Sequence, residues 1–308
     1  MIILRDEATL ARIDPRHGAE VVDLVDLHTG RQLLGRPPFG SLEPAGGDLD
    51  ERSWSERWRG GWQTCLPNYG RECVVGGVRH GFHGRASNDP WTVADAGERA
   101  ATLRWRGHGF RAEKRVVVGS SERGGCELRV EMTLEAEEEG APAIVLEHVT
   151  LGLELIEPEL ELELPAGRAS ELDAELGPVR PPPNAPAWPA VGLLDGGRER
   201  GERWALREER SRLFVVCDLP EGRARVANPA RGQGLEIEWD VARLPHVVVW
   251  HEARGAEGLW RGQTELLCIE PCSVPHEAGL AAAIASGDAW ALSPGEPISW
   301  WTTLRSLP

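Results

Sequence analysis

Glu270 stands inside LCIEPCS (267–273), a short apolar run with a cysteine two places away on either side and a proline directly behind it. A carboxylate in such a run loses hydration, and sequences rarely keep one there without a partner or a use. His148 interrupts a second apolar run, IVLEHVTLGLELI (144–156). Alone, a histidine in that setting is more often a satisfied core residue than a catalyst. Two such runs, one carrying a carboxylate and one an imidazole, together suggest a base and an acid tuned by burial. A third stretch, GGWQTCLPNYGRECVVGGVRHGFHGRASNDPW (60–91), gathers Trp62, Tyr69, His80, His83, Arg85 and Trp91 among glycine pairs and Pro67. Hydrogen-bonding groups beside flat aromatic faces suit a sugar, which has hydroxyl edges and C–H faces. Equally, the tryptophans would be core and the histidines would close turns.

The elements that must position these residues read as strands. Short β-branched or apolar runs recur between turn signals, among them AEVVDLVDL, RVVVG, RLFVVCDL, GLEIEWDV, HVVVW and ISWWTTL. In CELRVEMTL, residues Leu128, Val130, Met132 and Leu134 fall on one face with period two. With 36 glycines and 23 prolines dividing the chain, the pattern predicts an all-β fold, a large antiparallel β-sandwich with few short helices. One helix is expected in PHEAGLAAAIAS after Pro275, and DEATLARI is ambiguous. Neither repeats as a crossover, which disfavours a parallel sheet. The Pro- and Gly-rich stretch from 165 to 203 reads as a long loop unable to hold regular sheet pairing, either a wall of a cleft or a surface insertion.

Composition narrows the partners. The chain has 308 residues, 41% hydrophobic and 27% charged, an ordinary globular profile; the length suits two average domains or one large β-sandwich, and a single domain over 1–308 is expected. A formal net charge of −15 repels nucleic acid and anionic lipid surfaces. Lys114 is the one lysine, and the arginines are scattered rather than gathered into a patch. The first residues carry no basic start followed by an apolar stretch, and no run reaches about 18 apolar residues, so the chain reads as cytoplasmic with no membrane partner. Six widely spread cysteines (65, 73, 126, 217, 268 and 272) read as reduced thiols. The spacing of Cys65 and Cys73 is not that of a zinc knuckle, and no metal is expected.

Taken in order, these stretches resemble the aldose 1-epimerase, or galactose mutarotase-like, family. ARIDPRHGAEVVDLVDLHTGRQLL is similar to the family's opening, and GGWQTCLPNYG to its glycine-rich stretch with a proline. HGFHGR resembles its His-Gly motif, and LEHVTLGL its histidine strand. LPHVVVW followed by LLCIEPCS resembles its late pair, a Trp-ending strand and a Glu-Pro, and LSPGEPISWWTTL its closing turn and strand. The resemblance implies a large antiparallel sandwich that interconverts the α and β anomers of an aldose, without cofactor. It implies Glu270 as general base and His148 as general acid. His83, Arg85, His80, Trp250 and Trp62 become substrate-binding candidates, with His83 preferred to His80. Glu147, Thr150 and Leu151 depart from the family pattern around the strand histidine. Asp218 and Asp240 are the candidates for its substrate-binding aspartate. Two alternatives stay open: a non-catalytic carbohydrate-binding or regulatory protein, or an epimerase of a hexose 6-phosphate using Arg57, Arg59, Arg71, Arg79 and Arg85.

Overall fold

A computed structural model describes residues 1–37, 43, 46–122, 124–152, 159–172, 180–205, 211–254 and 262–307. Alternation is the rule that builds it. In the strand Cys126–Ala136 every second residue is buried, so that Leu128, Val130, Met132 and Leu134 face inward. Two twisted sheets meet on such faces. The larger runs Ile2–Arg5, Thr9–Asp14, Glu20–Asp26, Trp62–Cys65, Leu146–Leu151, Glu265–Cys272, His246–Ala253, Arg212–Cys217, Arg168–Glu171, Ala190–Gly192, Arg198–Arg200. The smaller is centred on Gln233–Trp239, Ile298–Leu307, Cys126–Ala136 and Phe110–Ser120. One apolar core lies between them. Trp62, Val149, Ile269 and Val249 enter it from the larger sheet, and Leu103, Val116, Leu128 and Leu304 from the smaller.

That core also contains charge. Glu147 points inward from its strand and accepts from Trp62 Nε1 (2.8 Å), Thr64 Oγ1 (2.9 Å) and Trp300 Nε1 (2.7 Å). Lys114 enters from the Phe110–Ser120 strand of the facing sheet and is completely buried. Burial pushes its pKa down, and the negative charges of Glu147 and then Glu20 hold it up. The departure at Glu147 therefore has a structural reason: its carboxylate ties three donors to the core and faces the chain's one lysine.

The stretch from 165 to 203 corrects an expectation. Instead of a loop without pairing, it supplies the strands Arg168–Glu171, Ala190–Gly192, Arg198–Arg200 and Arg203–Ala205 at the sheet edges. Each is only three or four residues long and avoids the prolines at 181–183, 186 and 189, whose missing N–H groups would break a ladder. Ser170 and Gly192 form the single parallel contact among the described pairings. DEATLARI resolves as the strand Thr9–Asp14, and the expected helix forms over Leu280–Ser286. An unforeseen short helix, Glu51–Ser55, begins where the Asp50 side chain accepts from Ser53 N. Among the described residues, no helix is long and apolar enough to cross a membrane.

Candidate active site

His148 and Glu270 come together through strand register. The strands Leu146–Leu151 and Glu265–Cys272 pair with Leu146 opposite Cys272 and Val149 opposite Ile269, which sets His148 opposite Glu270. Because Val149 and Ile269 turn into the core, their neighbours His148 and Glu270 turn to the outer face. His148 Nε2 lies 3.5 Å from Glu270 Oε1, with both side chains 2% exposed. On the other side of His148, the strand Trp62–Cys65 sets Gln63 directly opposite it. Gln63, His148 and Glu270 thus form one row across three strands. Among the described residues, both amide ends of Gln63, His148 Nδ1 and Glu270 Oε2 are buried without a hydrogen-bond partner. Groups of that kind are uncommon in folded proteins and mark a place where ligand or water completes the bonding.

Aromatic rings crowd around His148. Trp54, from the Glu51–Ser55 helix, and Trp58 just beyond it stack at 5.6 Å. Their ring centroids stand 5.9 and 5.3 Å from that of His148. Trp250 closes a further side, 5.6 Å from Trp58 and 6.3 Å from His148. His83 arrives from the 81–84 turn, with its ring 5.4 Å from His148 and 4.5 Å from Trp54. Its backbone has a φ of 55°, and Gly84 follows at 73°. A Cβ on Gly84 would lie 2.4 Å from the carbonyl oxygens of Leu66 and Asn68, so this turn needs glycine. His83 Nδ1 accepts from Gly70 N at 3.2 Å, which fixes the ring and leaves its other nitrogen as the donor.

The electrostatics follow from dryness. Burial pushes the Glu270 carboxyl well above its usual range, and the negative charge of Glu277 pushes it further. Glu277, partly buried, is itself raised to about 7 by burial and then by Glu51. Burial brings His148 down to about 3. Burial, then the neighbouring His148, takes His83 well below the usual histidine value. The 3.5 Å approach of His148 and Glu270 works against both of their shifts, because an imidazolium beside a carboxylate is mutually stabilised. In either form, carboxylic acid with neutral imidazole or carboxylate with imidazolium, the pair holds one transferable proton. Cys268, two residues before Glu270 on the same face, lies with its Sγ 3.5 Å from Thr150 Oγ1 as hydrogen-bond donor, and burial keeps its thiol protonated. His148, Cys268 and Glu270 offer ligand atoms within 4.8 Å of one another and could hold a metal ion. Cys65 and Cys73 do not gather with histidines in this way among the described residues.

The remaining candidates separate. His83 and Trp250 stand beside the row, whereas Trp62, His80 and Arg85 do not. Trp62 lies on the inner face of its strand, bonded to Glu147, since it alternates with Gln63. His80 turns to His108 at 3.4 Å, and His108 in turn meets Asp48 at 3.1 Å. Arg85 closes on Asp89 at 2.7 Å. Asp218 pairs with Arg168, and Asp240 accepts from Ala242 N in a turn, so neither reaches the row. Trp54, Trp58, Gln63 and Glu277 escaped the sequence reading. For the first two a signal existed: WSERW spaces two tryptophans four apart, on one face of a helical turn.

A surface cleft of about 450 Å³, lined by Trp105, Arg111 and Glu135 among others, belongs to the smaller sheet and contains none of the row. No family model and no curated protein matches the sequence. Solved structures do match the fold. A protein of Escherichia coli K12, provisionally named an aldose 1-epimerase, superposes with a TM-score of 0.68 at 13% identity, covering 99% of this chain and 98% of its own. A galactose mutarotase related enzyme from Lactobacillus acidophilus gives 0.66 at 13% identity, covering 99% and 97%. A galactose mutarotase-like protein from Lactobacillus casei ATCC 334 gives 0.64 at 16% identity, covering 100% of both chains.

Proposed function

Starting from a galactose mutarotase-like fold, we propose that this protein is an aldose 1-epimerase that interconverts the α and β anomers of a neutral aldose. The observation that carries the reading is the row Gln63, His148, Glu270, whose unpartnered polar atoms share a face with the tryptophans packed beside His148. A pyranose matches both features, with hydroxyls for the polar atoms and C–H faces for the rings.

The chemistry needs one proton removed from the C1 hydroxyl and one delivered to the ring oxygen. Sugar hydroxyls donating to Glu270 favour its ionised form, which moves the shared proton to His148. Glu270 then takes the C1 hydroxyl proton as the His148 imidazolium gives its proton to the ring oxygen. The C1–ring oxygen bond breaks, and C1 becomes a carbonyl. Rotation about C1–C2 followed by the reverse transfers closes the other anomer. Each group contributes on the order of 10²- to 10⁴-fold. His83, whose ring stands 5.4 Å from that of His148, and Trp250 hold the sugar in place.

A neutral substrate is favoured by what three of the five candidate arginines do. Arg59 is bonded to Asp14 (3.1 Å) and Glu20 (2.6 Å), Arg85 to Asp89, and Arg79 to Glu72. Arg57 donates to the Ser53 carbonyl oxygen. A phosphate clamp needs arginines that converge with charge to spare.

The test is NMR exchange spectroscopy on glucose, galactose and their 6-phosphates. Accelerated anomer exchange on a neutral aldose, reduced on the order of 100-fold in His148→Asn, is the expected result. Sugar binding without exchange would identify a carbohydrate-binding or regulatory protein instead. Acceleration confined to the 6-phosphates would overturn the neutral substrate.

A further inference from the structure

Gln63 is completely buried, yet neither its Oε1 nor its Nε2 has a hydrogen-bond partner among the described residues. An amide removed from water without compensation is costly, and its retention asks for a use. The adjacent Trp62 and Thr64 both donate inward to Glu147, so the Gln63 side chain emerges on the opposite face, that of His148 and Glu270. Register places it directly across from His148. Neighbouring strands are about 4.8 Å apart, so the order along the row is Gln63, then His148, then Glu270, at roughly equal steps.

We propose that Gln63 is a positioning residue that reads the substituent on C5 of the sugar; the proposal rests on the epimerase reading. With Glu270 at the C1 hydroxyl and His148 at the ring oxygen, the direction from Glu270 past His148 leads to C5 and its exocyclic carbon. A carboxamide presents an acceptor and two donors at one place, which matches a hydroxyl that both gives and takes a hydrogen bond. It matches a phosphate poorly, because Oε1 would face negative charge. Beyond Gln63, the register that pairs Val21 with Trp62 brings up Glu20, fully buried, with one carboxyl oxygen held by Arg59. A carboxyl at that end of the row also suits a neutral hydroxymethyl group better than an anion.

The experiment compares kcat/KM for galactose and glucose with that for their 6-deoxy forms, in the wild type and in Gln63→Leu, alongside thermal unfolding of both proteins. The wild type is expected to prefer the 6-hydroxyl sugars by roughly ten- to a hundredfold, the range for leaving a buried hydrogen-bonding group unmatched. Gln63→Leu should bring that ratio to within about threefold, since an apolar side chain cannot tell the two sugars apart. Its Tm should equal or exceed that of the wild type, because the amide it removes bonds nothing among the described residues. A wild type indifferent to the 6-hydroxyl, or a variant that keeps the preference, overturns the proposal while anomer exchange itself stands. A fall in Tm with the ratio unchanged assigns Gln63 a structural role. If no sugar is turned over, the epimerase reading fails separately. Calorimetric Kd values for the same four sugars then decide on Gln63, with an unchanged ratio or no binding counting against it.

Discussion

Replacing Glu270 by Gln should move activity and stability in opposite directions. The shapes are nearly equal, so packing around residue 270 is preserved, and only the ability to ionise is lost. For activity, loss of a general base costs on the order of 10²- to 10⁴-fold, or about 3–5 kcal/mol of barrier at 1.36 kcal/mol per tenfold. For stability the sign follows from the raised pKa. The unfolded chain releases this proton near the ordinary carboxyl value of 4.5, whereas the folded chain retains it to well above that. Between the two values the native state binds more protons, so wild-type stability falls as pH rises, by up to about 1.4 kcal/mol per pH unit. The amide has no such proton to lose. Guanidinium unfolding at pH 5, 6, 7 and 8 should therefore show Glu270→Gln gaining on the wild type at each step. NMR exchange should show turnover nearly abolished. Turnover within about threefold of the wild type would remove Glu270 from the mechanism. A stability difference that does not grow with pH would refute the buried carboxyl on which the reasoning depends.

Other consequences can be measured. Glu277→Gln removes the like charge that, after burial, raises Glu270, so the acidic limb of the kcat/KM–pH profile should move to lower pH; an upward shift would show that the two carboxyls are not coupled in this sense. Glu147→Leu leaves the indoles of Trp62 and Trp300, the Thr64 hydroxyl and Lys114 without their acceptor or counter-charge, and should cost about 3–5 kcal/mol in chemical denaturation. Adding Lys114→Met should restore much of that loss, and a strictly additive double variant would mean that the two charges do not sense each other.

Much of the architecture was legible because a half-buried strand repeats every two residues. The stretch 126–136 announces its inner face in Leu128, Val130, Met132 and Leu134, and the structure buries those residues. His148 and Glu270 were visible for the same reason, as polar residues out of character with apolar runs. What lay beyond reading was direction. HGFHGR places two histidines and an arginine within six residues, but the turn at His83 sends one histidine to His148 while His80 leaves toward His108 and Arg85 toward Asp89. Gln63 stayed hidden because its meaning lies in its alignment with His148, 85 residues away. The Trp54 helix was missed because five residues are too few to display a period. The prolines near 181–189 suppressed the expectation of edge strands on either side of them, although they break pairing only where they stand.

The lone lysine at the centre of the sandwich has a practical outcome for labelling. Lys114 is the chain's single side-chain amine, and no solvent reaches it in the folded state. Amine-reactive reagents, which need an accessible uncharged nitrogen, therefore find only the chain's amino terminus until the two sheets separate. Acylation of Lys114, followed by mass spectrometry of the peptide released by cleavage at its flanking arginines, would clock the opening of the core itself. Local fraying at the edges would leave that clock unmoved.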